Sequence, residues 1–225
     1  MLEYLYIYIF ISSSYSCITV YAQIIYNHGL YVGAISGIIY SNVWHAQNVS
    51  VDQSHISGNL KFGLLSASST AEQVVQCSFT SSYIIADKFN LTFQGGIIGD
   101  TANLLLLSIQ MCVVSNLSLF SNNSDQWSIS AGLIGDTHAT PIQIQQMIVK
   151  LLDIQSYGAI VQYVSSASLI ACVYDISTSI ADVQIINISL IASTSTNTAF
   201  CSGIISSITN QVITGMGNIQ LTEPP

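Results

Sequence analysis

Apolar and polar residues alternate with a period of two in several short segments of this chain. The clearest examples are 48–51, 116–119, 187–190 and 218–221, each of which begins with Asn and has apolar residues at its second and fourth positions. Such alternation is typical of a strand with one buried face. The pattern therefore predicts β-strands as the regular structure.

A short apolar motif that usually begins with Gly recurs along the chain. Its six copies begin at Gly37, Gly63, Gly96, Gly132, Ser168 and Gly203. Successive copies are 26, 33, 36, 36 and 35 residues apart, a spacing typical of repeats that stack as solenoids. Alternating segments follow the motif within its own unit, so each unit is predicted to contain at least two strands.

The repeat predicts an all-β solenoid, a right-handed parallel β-helix with coils of about 26 to 36 residues. Crossovers between parallel strands favour the right hand. Gly at the head of a unit is expected to permit a positive φ or a close backbone approach where the coil turns a corner. The Gly-Asp-Thr step at 99–101 and 135–137 is predicted to be a turn.

The segment 142–154 has an alternative interpretation. Ile144, Ile148, Leu151 and Leu152 would also suit one face of a helix, which the preceding proline could open. A strand is favoured because equivalent positions in neighbouring units alternate.

Two units share a longer motif. Residues 95–99 have the sequence Gly-Gly-Ile-Ile-Gly and residues 131–135 the sequence Ala-Gly-Leu-Ile-Gly. With the predicted turn and strand that follow, this motif resembles the GLUG-type repeat, whose head is Gly-Gly-Leu-Val-Gly. The resemblance covers residues 37–221 loosely and these two units closely, since Tyr40 and Ser206 replace the second Gly in the outer units. It implies a secreted or surface-anchored β-helical protein similar to adhesins.

The repeat is expected to form a single solenoid domain over residues 23–225. Residues 1–22 have two interpretations that both stay open. The apolar run 4–11, the Ser-rich stretch after it and a small-residue site resemble a secretory signal, although an acidic residue and no Lys or Arg precedes the run. Alternatively, Phe10 lies 27 residues before Gly37 and belongs to an incomplete first coil, in which case the chain is a fragment of a longer protein.

Charge limits the possible partners. Lys61, Lys88 and Lys150 are the basic residues beside 11 acidic ones, and the net charge is −8. Three lysines cannot neutralise a phosphate backbone, so no nucleic-acid partner is expected. Charged residues form 6% of the chain, so Ser, Thr, Asn and Gln must supply its polar surface. The chain also lacks the glycine-rich motifs that bind nucleotide phosphates, and no cofactor is predicted.

Asp100 and Asp136 are the strongest candidates for chemistry. They occupy equivalent positions 36 residues apart, so a coil would place them at the inter-strand distance of ~4.8 Å. Two stacked carboxylates could share a proton or hold a cation. Because Asp after Gly is most often a turn former, no catalytic, cofactor-binding or metal residue is assigned. The dispersed histidines are interpreted as polar turn residues: His28, His45, His55 and His138.

The cysteines are Cys17, Cys77, Cys112, Cys172 and Cys201. They lack zinc-site spacing and are interpreted as small apolar core residues. Cys77 and Cys112 lie 14 and 16 residues after their unit heads. They are therefore expected to stack in adjacent coils, where they could form a disulfide in an oxidising compartment.

Glycosylation sequons are compatible with a secreted protein. They occur at Asn48, Asn90, Asn116, Asn122 and Asn187. Asn48, Asn116 and Asn187 begin the alternating segments, where an outward Asn is expected to form a ladder between coils.

Together these patterns predict a non-catalytic extracellular or cell-surface scaffold that acts in adhesion or binding. Glycans or surface proteins are the expected partners, with membrane anchoring through a flanking segment. One alternative is a carbohydrate-active β-helix enzyme, of the polysaccharide lyase or hydrolase kind, although lyases generally need a basic residue beside their carboxylates and this chain has no Arg. The other alternative is a fragment of a larger surface protein.

Overall fold

Parallel β-strands form the regular structure of this chain. A computed structural model describes residues 15–20, 23–24, 31–39, 45–58, 60–69, 73–87, 91–102, 106–123, 127–138, 141–158, 163–174, 177–194, 198–209 and 212–222. Within these ranges the chain forms 23 strands and no helix.

The strands form three sheets, one of eleven strands and two of six. Sheet 1 contains β1 (Tyr15–Val20), β2 (Gln23–Ile24), β5 (His45–Asp52), β6 (His55–Gly58), β9 (Gln73–Val75), β10 (Ser78–Asp87), β13 (Leu107–Gln110), β14 (Val113–Asn123), β17 (Ile142–Gly158), β20 (Ser177–Thr194) and β23 (Val212–Thr222). Sheet 2 contains β3 (Tyr31–Gly33), β7 (Lys61–Gly63), β11 (Leu91–Gly95), β15 (Trp127–Ala131), β18 (Tyr163–Ala167) and β21 (Thr198–Ser202). Sheet 3 contains β4 (Ser36–Ile39), β8 (Ser66–Ser69), β12 (Ile98–Ala102), β16 (Ile134–His138), β19 (Ile170–Tyr174) and β22 (Ile205–Thr209).

Consecutive coils of the chain stack in parallel register. The paired equivalent residues of sheet 2 are Gly33, Gly63, Gly95, Ala131, Ala167 and Ser202. They are 30, 32, 36, 36 and 35 residues apart in the chain. The predicted all-β solenoid is therefore confirmed, while its right-handed sense stays a prediction.

A two-residue corner joins each strand of sheet 2 to the following strand of sheet 3. The second corner residue is apolar in every coil: Ile35, Leu65, Ile97, Leu133, Leu169 and Ile204. The first five are at most 4% exposed and Ile204 packs against them in the main core. Full burial of such a side chain contributes about 1.5–3 kcal/mol. The corner therefore adds one core residue to the stack in each coil.

Two of the six predicted repeat heads are shifted from the corner. The first corner residue is the predicted head in four coils, at Gly96, Gly132, Ser168 and Gly203. Gly63 instead pairs with Gly95 and precedes the corner by one residue. Gly37 lies inside β4, in register with Ala67 of β8. It is three residues after Ala34, the first corner residue of its coil. The 26-residue spacing therefore compares two different positions of the coil.

Sheet 1 contains two columns of residues with positive φ. The first column is Asn48, Gln76, Met111, Gln146 and Asp182, and the second is Gln53, Ser81, Asn116, Leu151 and Asn187. Their φ values lie between 47° and 56°, in the left-handed region that costs most L-residues energy. Asn48 belongs to the first column, and Leu151 separates Asn116 from Asn187. The predicted Asn ladder is therefore wrong.

The positive-φ residues explain the ambiguous pattern at 142–154. The buried apolar residues of this segment are Ile142, Ile144, Met147, Val149, Leu152 and Ile154. Gln146 and Leu151 each shift the alternation by one position, which keeps the apolar residues inside but creates spacings of three that also suit a helix. The predicted strand is confirmed by β17 and the helical alternative is wrong.

Candidate functional site

Asp100 and Asp136 are paired residues of β12 and β16 in sheet 3. Their predicted register is therefore confirmed. They are only 3% and 1% exposed, and the Gly-Asp-Thr steps that contain them form strands. The predicted turn is therefore wrong. Gly135 instead permits close packing, since a Cβ atom there would lie 2.5 Å from the carbonyl oxygen of Gly99 and 2.8 Å from that of Gln94.

Lys61 supplies a positive charge to this buried position. Its ammonium group forms an ion pair with Oδ2 of Asp100, and the two side chains are 18% and 4% exposed. The same ammonium group lies 5.6 Å from the ring centre of Phe93, within cation–π distance. In the next coil, Oδ1 of Asp136 accepts a 2.8 Å hydrogen bond from the backbone N–H of Thr137. The carboxylate of Asp100 thus makes a contact between sheets 2 and 3, whereas that of Asp136 bonds within its own strand.

Cys77 and Cys112 stack in adjacent coils as predicted, next to the paired residues Ser78 and Val113. Both thiols are free and buried, and the backbone N–H of Cys77 lies 3.3 Å from Sγ of Cys112. The hydrogen bond between the two thiol groups, together with burial, raises the pKa of Cys112, and the same hydrogen bond lowers the pKa of Cys77. The pair therefore consists of two interacting thiols in the core.

The remaining cysteines differ in exposure. Cys172 is buried and Cys201 is exposed, neither forms a disulfide, and partial desolvation raises the pKa of Cys201. The side chain of Cys17 lies outside the described residues. The interpretation as core residues thus holds for Cys77, Cys112 and Cys172 but not for Cys201.

The histidines do not converge on a site in the described part of the chain. His45 and His55 are partly exposed in sheet 1, while His28 and the side chain of His138 fall outside what the structure describes. Among the residues searched, no group of three or more His, Cys, Asp or Glu side chains could hold a metal ion.

Three sequon residues are exposed, at Asn48, Asn116 and Asn122, and Asn187 is partly exposed. Asn90 lies outside the described residues. The accessible amides are therefore placed where a glycan could be attached without entering the core.

An aromatic strip crosses the outer face of sheet 1 diagonally. We define it as Tyr83, Phe120 and Tyr157. Tyr83 pairs with Ser118, and Phe120 lies two residues further along the same strand. Phe120 in turn pairs with Gln155, and Tyr157 again lies two residues further. Each ring is thus one coil and two residues from the last, so the rings lie on one face of three adjacent coils.

Two rings of the strip are in contact, and the third packs against a histidine. The ring centres of Phe120 and Tyr157 are 6.0 Å apart, and His55 packs edge-on against Tyr83 at 5.4 Å. Between Tyr83 and Phe120 lies an open depression of about 260 Å³ that Asp153 and Gln155 help to line. Its lining therefore combines aromatic surface with hydrogen-bonding groups.

Hydrogen bonds fix the polar residues of the depression. The side-chain N–H of Gln155 donates to Oδ2 of Asp153 at 2.8 Å, and the hydroxyl of Tyr157 donates to Oε1 of Gln155 at 3.4 Å. From the interior, the amide of Gln94 donates to the backbone carbonyl of Phe120 at 2.9 Å, and Gln94 accepts a 2.9 Å bond from Ser130. Buried polar groups held in this way are difficult to move, so the strand that carries Phe120 is anchored from behind.

The ion pair of Lys61 and the aromatic strip were not predicted from the sequence. The signal for the strip is the spacing of 37 residues between its members, which is one coil plus two positions.

Comparisons with protein-family models, with curated proteins and with solved structures found no match. No helix in the described ranges has the length and apolar character needed to cross a membrane.

Proposed function

We propose that this chain is a non-catalytic scaffold, located outside the cell or at its surface, that binds glycans or surface proteins through the outer faces of its solenoid. The observation that carries the proposal is the continuity of sheet 1, whose eleven parallel strands come from seven successive coils and offer a long face. The GLUG-type resemblance and anchoring through a flanking segment are part of this proposal.

The position of the acidic residues supports a binding role over catalysis. The strongest candidates for acid and base chemistry, Asp100 and Asp136, are almost completely buried. A hydrolase that uses two carboxylates needs them to flank a bound substrate, at ~5–9.5 Å from each other. The exposed Asn side chains of three sequons support a secreted or surface location.

Surface labelling tests the location. Intact cells that carry the chain in its native context are treated with a membrane-impermeant amine-reactive biotin, and a cytosolic protein of the same cells serves as the control. We expect labelling of the chain, whose Lys150 is exposed, without labelling of the control. Labelling that requires cell lysis would overturn the proposed location.

Turnover measurements test the non-catalytic part. The purified chain is incubated with neutral and acidic polysaccharides, and reducing ends and unsaturated products are measured over time. We expect no increase above that of heat-denatured protein. Product that grows in proportion to the amount of folded chain would instead favour the carbohydrate-active enzyme.

A further inference from the structure

We propose that the aromatic strip, with Asp153 and Gln155, is a binding site for a neutral glycan chain. The inference rests on the proposed binding function and names its site and ligand class. Sugar rings have apolar C–H faces and a rim of hydroxyl groups. Protein sites that bind sugars therefore combine a flat aromatic surface with side chains that donate and accept hydrogen bonds. The aromatic strip presents both.

The aromatic groups form a surface that is long enough for an extended ligand. Tyr83 is 37% exposed, and Phe120 and Tyr157 are partly exposed beside it. One diagonal step crosses one strand spacing of ~4.8 Å and two residues of ~3.3 Å each. Three rings on this diagonal can contact successive units of a chain, whereas a single small molecule would contact only one or two of them.

The polar groups match hydroxyl groups. Asp153 accepts hydrogen bonds, and Gln155 both donates and accepts. They already bond to each other and to Tyr157, so they are oriented before a ligand arrives. A site that is already ordered loses less conformational entropy on binding.

Charge selects a neutral ligand. The residues that line the depression are Tyr83, Ser118, Leu119, Phe120, Asp153 and Gln155. This lining includes a carboxylate and no Lys or Arg, and the whole chain has a net charge of −8. A glycan that carries uronate or sulfate groups would be repelled from Asp153 and would find no cation in the lining of the depression.

The test measures binding of the full chain to immobilised polymers: the neutral polysaccharides glucan, mannan and galactan, the anionic polysaccharides polygalacturonate and heparin, and the cationic polypeptide polylysine. The variants Tyr83→Ser, Phe120→Ser and Tyr157→Ser are compared singly and combined. Phe200→Ser is the matched control, because Phe200 is an aromatic residue of sheet 2 that is 38% exposed. Circular dichroism and thermal unfolding show whether each variant keeps the fold.

We expect binding to at least one neutral glycan, a loss of about 2- to 10-fold for each single ring variant and about 100-fold for the triple variant. Phe200→Ser should bind like the unmodified chain. Binding only to anionic or cationic polymers, or equal binding by the folded triple variant, would overturn the inference. A chain that is labelled at the cell surface but binds no glycan would overturn this inference and leave the proposed surface location standing.

Discussion

Lys61 and Asp100 form an ion pair between strands of neighbouring coils, across the space between sheets 2 and 3. They are 39 residues apart in the chain. Asp100 lies next to a second carboxylate, Asp136, in the sheet. A charge with so little contact with solvent depends on its partner, because water cannot compensate for the partner's removal. The pair is therefore a specific point on which the packing of the two sheets depends.

We predict that Lys61→Met destabilises the fold by about 3 kcal/mol, since removal of one partner leaves a buried charge uncompensated. The double variant Lys61→Met with Asp100→Asn should be more stable than Lys61→Met alone, because it removes both charges. Urea unfolding followed by circular dichroism measures these differences. The matched control is Lys150→Met at an exposed position, for which a change within about 0.5 kcal/mol is expected. If Lys61→Met were as stable as Lys150→Met, the role of the ion pair would be contradicted.

Leu151 illustrates the cost of the positive-φ columns. It has a φ of 53°, a backbone conformation that Asn adopts more readily than Leu. Its side chain is 50% exposed, so it buries little apolar surface in return. We predict that Leu151→Asn stabilises the fold by about 0.5–1 kcal/mol. Asn already occupies the neighbouring positions of the column, Asn116 and Asn187.

The control for this change is Ile148→Asn on the same strand. Ile148 is 36% exposed and is not one of the positive-φ residues. Asn is unfavourable in regular strands, so this variant should be neutral or slightly less stable. A gain from both substitutions in thermal unfolding would show that polarity, not backbone conformation, is the cause.

Thiol reactivity separates the cysteines by burial. In the native chain we expect iodoacetamide to modify Cys201 and to leave Cys77, Cys112 and Cys172 unmodified, as measured by peptide mass spectrometry. The thiolate is the reactive form, and the pKa of Cys201 is raised above its ordinary value of 9.0. Below that pKa the thiolate fraction, and so the rate, should rise about tenfold for each pH unit.

The same reaction in urea provides the control, because all cysteines then have similar exposure. At neutral pH the rate at Cys201 should increase on unfolding, since its pKa returns to the ordinary value. Modification of Cys112 in the native chain as fast as that of Cys201 would be incompatible with the buried stack.

The coil register was predictable because one requirement repeats in every unit. Each corner must bury an apolar residue, as Ile97 and Leu133 do, so the spacing of the motif equals the length of the coil. In the first unit the predicted repeat head was placed at the wrong residue. Gly37 is followed by the same apolar residues as a corner glycine but lies inside β4. Small and apolar residues are required at both positions, and local sequence does not distinguish them.

The burial of Asp100 was not predictable from local sequence. A Gly-Asp-Thr step is typical of a turn, but residues 99–101 pair with strands on both sides in sheet 3, and Lys61 on another strand supplies the charge that accompanies Asp100 into the interior. The positive-φ columns were also not predictable from the sequence, since residues as different as Asp182 and Met111 occupy equivalent positions. The aromatic strip combines three coils, so it becomes visible only when the length of each coil is known.

Gly135 shows why the close approach of sheets 2 and 3 limits substitution. Within the described ranges no glycine has a positive φ, so its role is steric. A Cβ atom at Gly135 would lie 2.5–3.0 Å from backbone atoms of Gly99 and Gln94, which cannot move without shifting two strands. We therefore predict that Gly135→Ala destabilises the fold by about 1–3 kcal/mol, as overpacking of a dense interior does.

Gly217→Ala is the control for this prediction. A Cβ atom there would meet only the Cβ of Ala181, at 3.9 Å, which is an ordinary contact. Because Ala restricts the unfolded chain more than Gly, this variant should be neutral or more stable by up to about 1 kcal/mol. Chemical unfolding of both variants shows whether the loss of stability comes from steric overlap at Gly135 or from replacing any strand glycine with alanine. If Gly135→Ala lost no more stability than Gly217→Ala, the sheets would have room to separate, and the tight packing that holds Asp100 and Asp136 in the interior would not be required.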